Sequence, residues 1–167
     1  YTSKKMKFSV NQQDLQKSLS YCQGVIEKRS TLPILSNILI EAGSSKLKIT
    51  ATDLDLIFVN EISNIKIFEE GKTTTSSSIM FDIVRKIPSG SQINFENTGE
   101  SKLQLESNKS LFNLNSINAS EFPITDENFN ENEFSINSKE LLKLLNKCKF
   151  SISNDETRHY LSGIFLH

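Results

Sequence analysis

Four groups of side chains in this sequence carry chemistry that a site would need: the run Gly71-Lys72-Thr73, the carboxylates of Asp53 and Asp55, the thiols of Cys22 and Cys148, and the imidazoles of His159 and His167. A phosphate-binding loop ends on Gly-Lys-Thr because backbone N–H groups and the lysine cradle the phosphates. It also needs an earlier glycine, and that position is Lys66. Asp53 and Asp55 alternate onto one strand face and would offer a metal two oxygen ligands, but the neighbouring sequence supplies no third, so they read as a solvated or turn-forming pair. Two cysteines so far apart make neither a disulfide framework nor a paired-cysteine metal site, and both are expected to be buried free thiols. Neither has a neighbouring base to make it a nucleophile, and the two histidines lack metal-ligand spacing. No catalytic residue, metal site or cofactor is therefore expected.

The bulk properties are those of a folded globular chain. The 167 residues are 37% hydrophobic and 23% charged, enough to bury a real core and far from a disordered composition. No window approaches a membrane span, and Tyr1 to Lys5 lacks the apolar centre of a signal peptide, which makes a cytoplasmic location the expectation. Met6-Lys7-Phe8 reads as a natural start. With 19 basic against 20 acidic residues the net charge is −1, so a protein that grips phosphate by bulk positive charge is disfavoured and any nucleic-acid contact must be local.

The elements that would position such contacts become visible when the chain is laid over itself. At a shift of 126 residues Phe8-Ser9-Val10-Asn11 meets Phe134-Ser135-Ile136-Asn137, Leu15 meets Leu141, Leu19 meets Leu145 and Cys22 meets Cys148, with no gap. The same register carries Leu35-Ser36-Asn37-Ile38-Leu39-Ile40 onto Leu161-Ser162-Gly163-Ile164-Phe165-Leu166. A first domain over residues 6–125, a linker over 126–132 and the start of a second domain over 133–167 follow as the expected organisation, with the natural protein continuing beyond His167.

Within one repeat, residues 7–11 alternate into a strand, and Asn11 caps a helix whose apolar stripe is Leu15, Leu19, Cys22 and Ile26. Pro33 stops any helix, and Ile34 to Ala42 and Leu47 to Ala51 form a hairpin across Gly43-Ser44-Ser45. Leu54 to Phe68 is β-rich, and the Thr/Ser-rich Gly71 to Ser78 suits an exposed strand or loop. Ile79, Ile83, Val84 and Ile87 mark a second short helix ended by Pro88, and three more strands fall around Ile93 to Glu96, Lys102 to Glu106 and Leu111 to Asn115. Two helices against many antiparallel strands make the fold class α+β.

Four segments carry a resemblance to a known family. Met6-Lys7-Phe8-Ser9-Val10, Arg29-Ser30-Thr31-Leu32-Pro33-Ile34-Leu35-Ser36-Asn37, Thr52-Asp53-Leu54-Asp55 and Phe81-Asp82-Ile83-Val84-Arg85-Lys86-Ile87-Pro88 resemble, in order and spacing, the bacterial DNA polymerase III beta subunit family, the sliding clamps. Glu121-Phe122-Pro123, Phe150-Ser151-Ile152 and Arg158-His159-Tyr160-Leu161-Ser162-Gly163 join them. The resemblance implies a non-catalytic processivity factor of the clamp fold. Its subunits form a head-to-tail homodimeric ring, with helices lining a hole that encircles duplex DNA. Clamp loader, replicative polymerase and repair factors would dock through short peptide motifs.

The resemblance also implies roles for individual residues. Arg29 matches a DNA-contacting loop residue, and His159 and Tyr160 stand where the family often has two DNA-touching tyrosines, so His159 is a departure. Lys139, Lys143 and Lys147 recur every four residues apart from the leucine face and in a ring would face DNA, as would Lys17, Arg85 and Lys86. A basic pair that some relatives carry is here Ser78-Ile79. Lys102, Lys109, Phe112 and Leu114 match dimer contacts, and Arg158 and Leu161 match positions in the peptide cleft. Leu161 equally suits plain core packing, as its repeat partner Leu35 does. Two other readings remain: a duplicated β-rich adaptor without a DNA role, and an enzyme whose active site lies in another part of the protein.

Overall fold

The computed structural model describes residues 5–26, 32–99, 101–123, 134–155 and 157–166. The chain divides into two compact units, Tyr1–Thr125 and Asp126–His167.

In the first unit, β1 (Lys7–Asn11) runs into α1 (Gln12–Cys22) because the Asn11 side chain accepts the Gln13 N–H at 2.9 Å and stops the strand with a helix cap. A single 3-10 turn, Pro33–Ser36, then leads into β2 (Asn37–Gly43), with proline at its start where no N–H is needed. β2 pairs with β3 (Lys46–Thr52) across Ser44 and Ser45, both at positive φ (52° and 63°), a geometry that matches the strand twist. β4 (Ile57–Ile62), β5 (Ile65–Glu69) and β6 (Gly71–Ser76) precede α2 (Ser77–Val84), and β7 (Gln92–Gly99), β8 (Lys102–Ser107) and β9 (Ser110–Asn115) complete the unit.

The strands form two antiparallel sheets, ordered β5-β1-β7-β8-β9 and β4-β3-β2-β6. Their period-2 alternation sends Phe8, Val10, Ile93, Phe95, Leu103 and Leu105 from one sheet, and Ile38, Ile40, Leu47 and Ile49 from the other, into one core. Leu15, Leu19, Cys22, Met80 and Val84 of the helices close it. Phe8 and Phe95 face each other across β1 and β7 with rings stacked at 4.8 Å, and both are almost wholly buried.

Three details depart from the sequence reading. Ile34 to Ser36, expected in the strand, belong to the 3-10 turn that Pro33 opens, and β2 starts at Asn37. The threonine-rich run is a strand, but Thr73, Thr74 and Thr75 are buried rather than exposed. Their hydroxyls satisfy backbone: Thr74 Oγ1 donates to the Ile117 carbonyl at 2.7 Å and Thr75 Oγ1 to that of Asn115 at 3.1 Å, tying the edge of one sheet to the segment leaving the other. In α2 the inward residues are Ser77, Met80 and Val84, while Ile79 is exposed, because a helical period started from the Ser76 cap puts Ile79 on the outer face.

The second unit contains α3 (Ser138–Cys148) and 3-10 turns at Lys149–Ser151 and His159–Leu161. Its helix reproduces the first repeat at the 126-residue shift. The bounds of α3 are those of α1 moved by that shift, Asn137 accepts the Lys139 N–H at 3.0 Å as Asn11 accepts that of Gln13, and Lys149 N–H closes on the Leu145 carbonyl as Gln23 N–H closes on that of Leu19. The turn at 159–161 likewise falls on the turn beginning at Pro33. Residues 134–137, matched to β1, form no strand. Cys148, expected buried like Cys22, is exposed, and the α3 leucines are half-buried (Leu141, Leu145) or exposed (Leu142, Leu144), unlike Leu15 and Leu19 of α1. The expected linker 126–132 lies outside the described residues.

Candidate nucleic-acid interface

With Leu15, Leu19 and Cys22 spent on the core, α1 presents Gln13, Lys17 and Tyr21 to the outside, four residues apart on one face. Lys17 is its one basic residue. Gln13 Nε2 donates to Ser89 Oγ at 2.6 Å, and the Tyr21 ring lies 5.9 Å from that of Phe58. Cys22, below this face, has its thiol pushed up to about 12 by burial, against a backbone hydrogen bond that lowers it, so it stays protonated and inert.

Arg85 and Lys86 follow the end of α2, where cations suit the helix carbonyls. Both are exposed, but Arg85 is held by Asp82 at 3.0 Å and sits 6.0 Å over the Phe81 ring, which leaves Lys86 the less encumbered of the two. At Ser78-Ile79, where some relatives carry a basic pair, the Ser76 and Ser78 hydroxyls lie 3.4 Å apart at the helix start.

In the second unit Lys139, Lys143 and Lys147 lie along one exposed face of α3, and none makes an ion pair among the described residues. Tyr160 is 82% exposed. Arg158 reaches Asp155 at 3.4 Å, while the Thr157 hydroxyl and amide hold the Asp155 carboxyl below its ordinary range. The Leu161 N–H donates to the Arg158 carbonyl and its carbonyl accepts from Ser153 N–H, both at 2.9 Å, so the backbone is fixed while the side chain is 44% exposed. Leu161 is thus unlike Leu35, its buried repeat partner. Arg29 and the His159 side chain lie outside the described residues.

Among the described residues β9 pairs only with β8, leaving an edge of the five-stranded sheet unpaired. Lys102 and Lys109 flank this edge and are exposed, and Phe112 is half-buried against the core. Alternation along β9 turns Leu114 inward, where it is 6% exposed and packs into the core of the unit. The apolar residue presented at this edge is Leu111, 55% exposed, which the sequence reading missed because Leu111 and Phe112 are adjacent and both apolar.

The remaining chemical candidates resolve locally. Asp53 Oδ1 accepts the N–H groups of Asp55 (3.0 Å) and Leu56 (2.6 Å), so it builds its own turn and leaves Leu54 at φ +83°. No group of three or more potential metal ligands occurs among the described residues. The same residues contain no helix long and apolar enough to cross a membrane. A surface groove of about 1110 Å³ lies beside Glu41, Lys46, Lys48, Glu61 and Lys72, but Lys48 and Lys72 both pair with Glu41 and Lys46 pairs with Glu61. Its lysines are therefore engaged in cross-strand pairing.

Known proteins share this chain's pattern from end to end. The beta sliding clamp of Caulobacter vibrioides is 35% identical over 163 residues, 97% of this chain and 44% of that protein, and the beta sliding clamp of Escherichia coli K12 is 34% identical over 159 residues, 95% of this chain and 43% of that protein. Among solved structures, the Caulobacter crescentus beta sliding clamp superposes with a TM-score of 0.93 at 34% identity over 98% of this chain and 44% of that one. The Bartonella birtlesii sliding clamp does so at 0.93 and 35%, over 98% and 43%. The chain therefore spans a little under half the length of the relatives it matches. Residues 6–126 match the model of the DNA polymerase III beta subunit, N-terminal domain, and the chain belongs to that family.

Proposed function

We propose that this chain is the amino-terminal part of a sliding clamp, a ring-shaped processivity factor that encircles duplex DNA and tethers the replicative polymerase without catalysing a reaction. The observation that carries the reading is the repetition of one capped helix at a shift of 126 residues, α1 and α3, each presenting a face of exposed polar residues away from its leucines. A ring built of repeated units stays on DNA by topology, so it needs weak, sequence-independent phosphate contacts and not a strongly basic surface, in keeping with a net charge of −1.

On this reading residues 6–125 are the first domain and 133–167 the start of the second. Lys17, Lys86, Lys139, Lys143, Lys147 and Tyr160 contact DNA, as do Arg29 and His159, with Arg85 contributing once released from Asp82. The unpaired β9 edge, with Lys102, Lys109, Phe112 and Leu111, meets a second subunit in a head-to-tail dimer. Leu114 supports that edge from within. Arg158 and Leu161 contribute to a cleft for short peptide motifs of the clamp loader, polymerase and repair factors, and the protein acts in the cytoplasm.

Primer extension by the replicative polymerase on a long primed circle tests the reading. Adding the whole protein with its loader should lengthen the products made in a single binding event. Product lengths unchanged by the protein would overturn it.

A further inference from the structure

The repeat places the exposed faces of α1 and α3 in register, residue for residue: Gln13 with Lys139, Lys17 with Lys143, and Tyr21 with Lys147. The acid on each helix is also equivalent, Asp14 with Glu140, so the difference in charge between them is confined to the basic face. α1 has one lysine against one aspartate and no net charge; α3 has three lysines against one glutamate and a net charge of +2. All six face residues are exposed.

Local packing deepens the contrast. Gln13 is engaged with Ser89 and Tyr21 with Phe58, so neither is free to follow a phosphate. The three lysines of α3 have no ion pair among the described residues, and each lies one helical turn from the next. A phosphate opposite Lys143 therefore experiences three cations within about a Debye length at physiological salt, about 8 Å, while a phosphate opposite Lys17 experiences one.

Resting on the clamp reading, we propose that the two equivalent helices divide the DNA contact unequally: α3 is the phosphate-gripping rail of this chain, and α1 is a near-neutral wall along which the duplex passes. The partner is the sugar-phosphate backbone of duplex DNA, read without regard to sequence. The asymmetry would hold the duplex closer to the second unit's helix than to the first's.

The test compares lysines at equivalent positions in the whole protein. Affinity for a short fluorescent duplex is measured by anisotropy from 50 to 200 mM salt for wild type, Lys17→Gln, Lys143→Gln and the triple variant Lys139→Gln/Lys143→Gln/Lys147→Gln. Each lost phosphate contact lowers the slope of log affinity against log salt by about 0.9, roughly a threefold change across that range. The inference expects a slope loss of about 2 to 3 for the triple variant, close to 0.9 for Lys143→Gln, and much less for Lys17→Gln. Equal losses for Lys17→Gln and Lys143→Gln would overturn the unequal division and leave the clamp reading standing. A triple variant with the wild-type slope would overturn the rail itself. The clamp reading fails separately, if wild-type protein loaded on circular DNA is not retained there. Adding lysines to α1, Gln13→Lys/Tyr21→Lys, should raise the slope toward that of a second rail. Circular dichroism of the three lysine-to-glutamine variants should be unchanged, since these lysines are exposed.

Discussion

Gly71 opens β6 and pairs with Ala42, and a Cβ added there would lie 2.9 Å from Met6 Cβ and 3.4 Å from Met6 Cα and Cγ. Neither partner has room to retreat. Met6 is fully buried, and its carbonyl accepts the Asn97 N–H at 3.0 Å. Overpacking of this kind costs about 1–3 kcal/mol, offset by about 0.4–1 kcal/mol from the stiffer unfolded chain, so Gly71→Ala should destabilise by about 1–2 kcal/mol. With a urea m-value of about 2 kcal/mol/M, the unfolding midpoint should fall by about 0.5–1 M. Gly99→Ala is the control, because nothing lies within 4 Å of its added Cβ, and it should be neutral or slightly stabilising. Met6→Leu should not rescue Gly71→Ala, because leucine keeps the Cβ that makes the contact. Urea unfolding followed by far-UV circular dichroism reads all four proteins. A Gly71→Ala midpoint equal to or above that of Gly99→Ala would refute the packing argument.

Asp53→Ala removes an acceptor serving two backbone N–H groups in the turn that holds Leu54 at φ +83°, and should cost about 1–2 kcal/mol in the same assay, with Asp53→Asn retaining part of it. Cys22 supplies a pH prediction. Its thiol ionises near 9 when unfolded and near 12 when folded, so its contribution is fully present below pH 9 and is lost as pH rises toward 12, by at most about 1.4 kcal/mol per unit. Urea midpoints should therefore fall more steeply over that window in wild type than in Cys22→Ala, and parallel curves would contradict the assignment. In native protein Cys22 should resist alkylation at pH 8 until denaturant is added, as intact mass would show.

The strands, the hairpin and both capped helices were legible because each rests on a local rule: alternation, a turn, or an asparagine placed before a stripe of leucines. The repeat was legible for the same reason, since Asn11 and Asn137 perform one task in one geometry. What escaped was set by contacts distant in sequence. Thr73 to Thr75 look like a polar surface until Asn115 and Ile117 supply carbonyls for their hydroxyls. Arg85 looks free until Asp82 and Phe81 engage it, and whether Leu111, Phe112 or Leu114 faces inward depends on the register that β8 imposes on β9. Of the candidate surface, the part legible from spacing alone is the lysine row of α3, which lies along one exposed face.

The most direct measurement loads the whole protein onto nicked circular DNA, removes free protein by gel filtration, and divides the sample between intact circles and circles cut once by a restriction enzyme. Ring topology predicts that protein remains with the circle for many minutes and is lost from the linear form, with moderate salt making little difference to retention on the circle. Equal loss from both forms, or equal retention on both, would contradict it.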